Sequence, residues 1–317
     1  MILVTGATGF IGSHLVEMLL TRGEPVRALV RRRGSLPAVD LAYGDVVSGA
    51  GLEHALSDVQ VVIHLAGATK ALRPADYYTA NVKGTQMLAR AIAGRPIRLV
   101  HVSSLAAAGP SSSGMPIAED AGPRPITHYG KSKLESEYAV RALRPDAVIV
   151  RPPVVYGPRD TDVLQVLKPI SRGWALQIAG AERWFSAIYV RDLVEGLLAA
   201  ARSPGAAGRT YFISHPSPIS WSELTSLAGR IMGRSPRMVR VPGAAALAGG
   251  FFAEVWARAT GKPGILSREK VREACCAAWV CDSRRAAVEL GFEAPTGLEK
   301  GLSETLAWYR GAGWLRY

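Results

Sequence analysis

Short apolar runs alternate with stretches of helical periodicity along the first half of the chain. Residues 2–4 form a continuous apolar run that ends in a Gly-rich turn, and residues 14–20 then place apolar side chains at helical spacing. Residues 26–30, 59–65, 97–102 and 147–150 are further apolar runs without the polar alternation of a half-exposed strand. Strands read this way when both of their faces are covered, as in a parallel sheet with helices on either side. Right-handed crossovers then predict an α/β fold built on a Rossmann-like, doubly wound parallel sheet.

The pattern changes after Arg151. Residues 151–159 are rich in Pro and Gly and leave the sheet, 162–172 read as a helix, and 188–201 return to apolar helical spacing before a strand at 210–213. Ser220 with Glu223 forms a capping box that opens a helix running to 232. From 266 onward the pattern is helical, with a small turn at Gly291. The Ala/Gly-rich stretch 244–253 is closed by Glu254; it is too short to span a bilayer and is expected as a core helix. No repeat or low-complexity linker separates these segments, so the second, smaller and mostly helical domain is expected to be interleaved with the first.

Composition narrows the function classes. The chain has 317 residues, 48% of them hydrophobic, which allows one large domain or two intimate ones. The formal net charge of +12 comes from Arg residues scattered over the whole length, with a single run at Arg31, Arg32 and Arg33. Basic and aromatic residues are not interleaved as in single-strand binders, so no nucleic-acid partner is expected. Cys275, Cys276 and Cys281 lack zinc-ligand spacing and fit ordinary thiols in a reducing cytoplasm. No metal site, secretory leader or integral membrane segment is expected.

The turn after the first strand carries candidate chemistry. Gly6-Ala7-Thr8-Gly9-Phe10-Ile11-Gly12 lies between a strand and a helix. There Gly6 permits the tight turn, Gly9 lets the backbone approach a pyrophosphate, and Gly12 lets helix and strand pack closely. Thr8, Phe10 and Ile11 belong to the same cradle, whose free N–H groups face the phosphate charge. On this reading residues 1–157 and 187–213 form the dinucleotide-binding domain, and 158–186 with 214–317 the substrate-binding domain. At the end of the second strand an NAD site usually carries a carboxylate, but this chain has Arg31 and Arg32. A guanidinium pairs with a 2′-phosphate, so NADP is the expected cofactor, with NAD the alternative. Asp45 and Val46 are candidates for the adenine amino group and ring.

Tyr129 and Lys133 are four residues apart and share one face of a helix. An ammonium beside a phenol is expected to lower its pKa toward working pH, so that Tyr129 can pass a proton to or from a substrate oxygen.

Together these motifs, with His64-Leu65-Ala66-Gly67, Asn81-Val82-Lys83-Gly84-Thr85, Ser103-Ser104, Arg151-Pro152-Pro153-Val154-Val155-Tyr156-Gly157-Pro158 and Tyr189-Val190-Arg191-Asp192 in order, resemble the extended short-chain dehydrogenase/reductases, the NAD-dependent epimerase/dehydratase family. The resemblance covers essentially the whole chain. It implies that Leu65, Ala66 and Gly67 line the cofactor ribose, that Lys133 holds the ribose, and that Pro152 and Val155 flank the nicotinamide. It also implies that Asn81 is structural, that Asp192 braces the sheet, and that Ser104, or failing it Ser103, binds the substrate oxygen beside Tyr129. Relatives are often homodimers packed on helices that include the Tyr129 segment.

Departures from the family pattern narrow the reaction. No carboxylate follows Ser104, which disfavours sugar-nucleotide 4,6-dehydration. Phe185 stands where many epimerases have a diphosphate-binding Arg, with Arg183 nearby as a substitute. Residues 105–108, Trp184-Phe185 and Phe251-Phe252 make an apolar pocket the expectation, and with Gly261-Lys262-Pro263 and the Trp-rich C-terminus they suggest similarity to bacterial dihydroflavonol-reductase and 3β-hydroxysteroid-dehydrogenase-like members. The expected activity is hydride transfer between NADP and a carbonyl or secondary alcohol of a fairly hydrophobic small molecule. The alternative is an NAD-dependent nucleotide-sugar epimerase.

Overall fold

The computed structural model describes every residue except 33, 35, 113–114, 262–263 and 265–266. Arg33, Lys262 and Pro263 of the motifs above, and Leu266 at the start of the tail, therefore lie outside the described residues. Seven strands, β1 (Ile2–Thr5), β2 (Val26–Val30), β3 (Asp40–Tyr43), β4 (Val61–His64), β5 (Arg98–Val102), β6 (Val148–Val150) and β7 (Thr210–Tyr211), form one sheet in the order β7-β6-β5-β4-β1-β2-β3. All of their pairings are parallel. The order reverses between β1 and β4, which makes the C-terminal ends of these two strands the switch point where ligands bind in open α/β sheets.

The continuous apolar runs follow from this architecture. Successive strand residues point to opposite faces. Val4, Ala28, Val30, Ile63, Val100, Val148 and Val150 pack with helices Phe10–Thr21 and Val190–Arg202 on one face. Leu3, Leu29, Val62 and Leu99 pack with Leu88, Ile92 and Val140 on the other. Burying each such side chain contributes about 1.5–3 kcal/mol before conformational entropy is charged against it, so both faces must be apolar.

A second core surrounds Tyr156, Leu164, Leu167, Leu224, Leu227, Leu302, Leu306 and Tyr309. It is built from helices Asp162–Ser171, Trp221–Ile231 and Leu298–Gly311. The expected capping box is present: the Ser220 side chain accepts from the Glu223 N–H, and Glu223 caps in return. Ala286 and Ala294, from the segment assigned by sequence to the substrate half, join the sheet-side core instead.

Three expectations change. Residues 187–189 are not helical but form a short strand parallel to Val154–Tyr156, with the helix starting at Val190. The tail is not continuously helical, since Ala278–Trp279 is a strand beside Trp184–Phe185. Helix Gly243–Thr260 is not a core helix: of its 18 residues only Gly250 and Ala257 are buried. Among the described residues no helix is long and apolar enough to cross a membrane.

Candidate active site

The glycine turn is shaped by close approaches that allow no side chain. Gly6 has φ +69°, and a Cβ there would lie 2.7 Å from the Ala66 nitrogen and the Leu65 carbonyl carbon. The loops after β1 and β4 therefore touch at the switch point. A Cβ on Gly12 would lie 2.2 Å from the Gly6 carbonyl oxygen. Gly9 is the N-cap of helix Phe10–Thr21 and supplies no side-chain cap, so the first-turn N–H groups of Phe10, Ile11 and Gly12 have no side chain competing for them. This uncapped cradle fits a pyrophosphate. Thr8 is exposed at its edge, and a Cβ on Gly34 would be 2.9 Å from the Thr8 methyl. That contact brings the loop carrying exposed Arg31 and Arg32 beside the cradle. Among the described residues neither guanidinium has a carboxylate partner.

At the opposite wall, Asp45 uses one carboxylate oxygen to accept from the Val47 N–H (2.8 Å), and Val46 is half-buried next to it. Leu65 and Ala66 are half-buried and Gly67 is exposed. The Ala66 N–H donates to Thr5 Oγ1, which meets His64 Nδ1 at 2.7 Å, while His64 Nε2 meets Thr85 Oγ1 at 3.0 Å. The chain of bonds is satisfied when the neutral ring carries its proton on Nε2. Burial, and after it the Lys133 charge, hold this imidazole down at about 3. Asn81 is fully covered within the π-helical turn Thr79–Lys83. Its amide accepts from the Ala68 N–H (2.7 Å) and donates to the Ala68 carbonyl and to Ser132 Oγ, which donates to the Tyr129 carbonyl. The structural role expected of Asn81 is thus a bridge between the β4 loop and the Tyr129 helix.

That helix, His128–Leu143, begins at Thr127, whose hydroxyl accepts from the Gly130 N–H. A Cβ on Gly130 would lie 2.3 Å from the Ala106 carbonyl oxygen, so glycine allows the helix to press against Leu105–Ala108. The contact sets the Tyr129 helix against the segment that Ser104 caps by accepting from the Ala106 N–H at 3.1 Å, and Ser104 is near enough to the phenol to oppose the rise in its pKa. The two candidate serines are distinguished by their partners. Ser103 Oγ donates to the buried Glu137 carboxylate, which is itself held by a two-pronged ion pair with Arg151 at 2.6 and 2.9 Å. Ser104 Oγ accepts from the Ala106 N–H and keeps its own proton free to donate. Pro152 is buried, its carbonyl accepting from the Leu105 N–H at 2.8 Å, and Val155 is half-buried on the short strand beyond it.

The electrostatics differ from the expectation for Lys133. Its ammonium donates to the Val102 carbonyl oxygen at 2.7 Å, and burial lowers its pKa to about 8 against the opposing pull of Glu137. Burial pushes the Tyr129 phenol up rather than down. The cation that eases this rise is Lys270, 5.7 Å from the centre of the Tyr129 ring. Burial works against the Lys270 ammonium too, but Glu273 at 2.7 Å outweighs it and raises its pKa. Helix Arg268–Cys275 is docked onto the start of the Tyr129 helix: Glu269 accepts from the His128 N–H and Glu273 from the Thr127 hydroxyl. Sequence reasoning missed Lys270 because 141 positions separate it from Tyr129 and no local spacing links them. Tyr77, tilted against the Tyr129 ring at 6.0 Å, was missed for the same reason.

Other candidates are committed elsewhere. Arg183 donates to the backbone carbonyls of Ala274, Ile178, Ala181 and Ala179 at 2.6–3.3 Å, so its guanidinium is not directed at a diphosphate. Asp192 accepts from both the N–H and the hydroxyl of Thr296 at 2.8 Å, a bracing contact. Most of the apolar residues expected around the pocket are not free to line it. Leu105 and Ala108 pack with Phe212 and Cys281, Phe185 packs in the second core, and Phe251 and Phe252 face outward. Among the described residues no cluster of His, Cys, Asp or Glu could hold a metal.

Known proteins carry the same organisation. Ceramide reductase of Caulobacter vibrioides (strain NA1000 / CB15N) is 33% identical over 317 residues, covering 98% of this chain and 95% of its own. N-acetyl-alpha-D-glucosaminyl-diphospho-ditrans,octacis-undecaprenol 4-epimerase of Escherichia coli O157:H7 is 25% identical over 96% of this chain and 94% of its own. The solved structure of MoeE5 in complex with UDP-glucose and NAD superposes with a TM-score of 0.79 at 27% identity, covering 98% of this chain and 99% of that one. The model of the NAD dependent epimerase/dehydratase family matches residues 2–214. With a glycine cradle at the switch point, a family model that matches residues 2–214 and relatives that include both reductases and epimerases, the chain belongs to the NAD dependent epimerase/dehydratase family and is an NAD(P)-dependent enzyme of the extended short-chain dehydrogenase/reductase type.

Proposed function

We propose that the protein is an NADP-dependent oxidoreductase acting on a carbonyl or secondary alcohol of a fairly hydrophobic small molecule. The observation that carries this reading is the packing of the Tyr129 helix on the Ser104–Ala108 segment through Gly130, with the phenol pKa raised by burial, while Arg183 is tied to backbone carbonyls. The bound nicotinamide supplies or takes up the hydride. Ser104 holds the substrate oxygen, and Tyr129, whose raised pKa keeps it protonated at neutral pH, donates the proton that a ketone oxygen gains on reduction. On this reading Lys133, whose ammonium donates to the Val102 carbonyl, holds the ribose, and Gly6, Thr8, Gly9, Phe10, Ile11 and Gly12 hold the pyrophosphate. Arg31, then Arg32, takes the 2′-phosphate, Asp45 and Val46 the adenine, Leu65, Ala66 and Gly67 the ribose wall, and Pro152 and Val155 the nicotinamide side.

The hydrophobic substrate class is supported by the ceramide-reducing relative and by Tyr77 beside Tyr129, not by an apolar pocket wall. The alternative, an NAD-dependent nucleotide-sugar epimerase, has the E. coli and MoeE5 relatives in its favour, but it lacks a free guanidinium at Arg183 for the diphosphate. The two cores follow the division into residues 1–157 with 187–213 and the remainder only in the main, since Tyr156, Ala187 and Tyr189 pack in the second core and Ala286 and Ala294 in the first.

The test is calorimetric titration of the cofactor-stripped protein with NADPH and NADH, followed by reduction assays on hydrophobic ketones. Arg31→Ala should weaken NADPH by about 10–100-fold, one charge-assisted bond, and leave NADH unchanged. Tyr129→Phe should bind NADPH as the wild type does and lose at least ~100-fold in reduction rate. Tighter binding of NADH, with turnover of UDP-sugars and no net cofactor use, would replace this reading by the epimerase.

A further inference from the structure

Helix Gly243–Thr260 turns the wrong chemistry toward water. Its packed side is a narrow stripe through Gly250 and Ala257, with Gly250 against the Ser267–Arg268 backbone. The opposite side carries Leu247, Phe251, Phe252, Val255 and Trp256, and the last two aromatics are the most open: Phe252 is 69% and Trp256 73% exposed. Glu254, at the edge of this face, is paired with Arg268, so no unpaired charge interrupts it before Arg258. Large apolar groups set contiguously on one helix face mark an interaction surface.

Charge around the helix identifies the partner. Residues 237–276 contain seven basic and three acidic side chains. All three carboxylates are engaged within the fold: Glu254 with Arg268, Glu269 with the His128 N–H, and Glu273 with Lys270. Among the described residues, Arg237, Arg240, Arg258 and Arg272 are exposed and have no ion-pair partner. Arg237 and Arg240 lie on the strand that leads through Pro242 into the helix, and Arg268 stacks over the Phe251 ring at 5.3 Å. Exposed aromatic and aliphatic side chains in a segment whose unpaired charges are all guanidinium groups, one more guanidinium lying over Phe251, match the boundary between the headgroups and acyl chains of an anionic membrane. A helix that does not cross a bilayer can lie in that boundary.

The geometry points to helix Gly243–Thr260 as a peripheral membrane-docking surface that takes an anionic lipid bilayer. Glu254, on the docking helix, accepts from the Arg268 N–H, and Arg268 starts the helix whose Lys270 covers Tyr129. The docking helix is therefore joined through Arg268 to the helix whose Lys270 lies over Tyr129.

Vesicle flotation of the full chain tests the proposal without cofactor or substrate, so its result is independent of the assigned reaction. The probes are phosphatidylcholine vesicles, alone and mixed with phosphatidylglycerol. The expected result is flotation with the mixed vesicles only, weakened by salt. Phe252→Glu with Trp256→Glu should cut the partition by at least about tenfold, and Phe252→Ser alone should show a smaller loss. Both side chains project into solvent, so NADPH titration and circular dichroism should match the wild type. Absence of binding to the mixed vesicles overturns the proposal, as does binding that the double variant leaves unchanged. A dimer in sedimentation equilibrium that the double variant converts to monomer, with no vesicle binding by either, would overturn it in favour of a second copy of this chain on the same face.

Discussion

At the scale of single residues, the chemistry turns on one phenol and the groups that set its proton. Gly130 lets the Tyr129 helix press on the Ala106 carbonyl, which sets the phenol near the segment that Ser104 begins. Its pKa is raised by burial and eased by Lys270, whose charge favours the phenolate. Reduction uses the protonated phenol and oxidation of the alcohol uses the phenolate. Removing the positive charge in Lys270→Met raises the phenol further, so the pH profile of alcohol oxidation should shift to higher pH, while reduction near neutral pH keeps its rate. A purely structural role for Lys270 would instead lower both directions equally without moving the profile, and stopped-flow rates across the alkaline range distinguish the two. The Tyr/Lys spacing was legible in sequence because four residues on a helix are neighbours. The Lys270 contact was not, because it joins two helices far apart in the chain.

At the scale of elements, the C-terminal ends of β4 and β5 hold two buried imidazoles, stacked at 5.4 Å. His64 is held at about 3, and His101 well below its ordinary value, by burial first and the Lys133 charge second. A histidine kept neutral in the fold binds fewer protons than the unfolded chain does below its ordinary pKa of 6.5. Its contribution to stability is therefore full above that value and is lost as pH falls toward the folded pKa. Each ring should remove up to about 1.4 kcal/mol per pH unit in that window. Urea unfolding at about pH 7 and about pH 5 should show the loss, and His101→Gln should make the dependence shallower. An unchanged midpoint between the two pH values would mean that these rings take up protons without unfolding. Six of the seven sheet strands were predicted to within a few residues because burial on both faces leaves an unbroken apolar run; Asp40–Tyr43, with only Ala42 buried, leaves none. The short strand Ala187–Tyr189 was read as helix because three apolar residues carry no period of their own, and only pairing with Val154–Tyr156 makes them a strand.

At the scale of the whole molecule, two cores are stitched together by a few buried polar contacts. Asp192, at the start of the helix that covers the sheet, receives both donors of Thr296 on the approach to helix Leu298–Gly311 of the second core. Asp192→Ala should destabilise the protein by about 3 kcal/mol, since two buried bonds to a carboxylate are lost and the Thr296 N–H is stranded. The expected readout is a lower urea midpoint that saturating NADPH partly restores, because ligand binding adds stability by mass action.

The sequence by itself determined the sheet, the glycine turn at its switch point, the Tyr129–Lys133 face and the family. These rest on periodicity and on residues close together in the chain, where local geometry dictates what can form. Tertiary structure alone decided that Ser103 is committed to Glu137, that Lys270 is the cation over the Tyr129 ring, and that Arg183 is spent on carbonyls. It also turned the Ala-rich helix outward, although its composition reads as core. In each case the deciding contact joins segments distant in sequence, and burial and charge at such a contact depend on neighbours that no local pattern encodes.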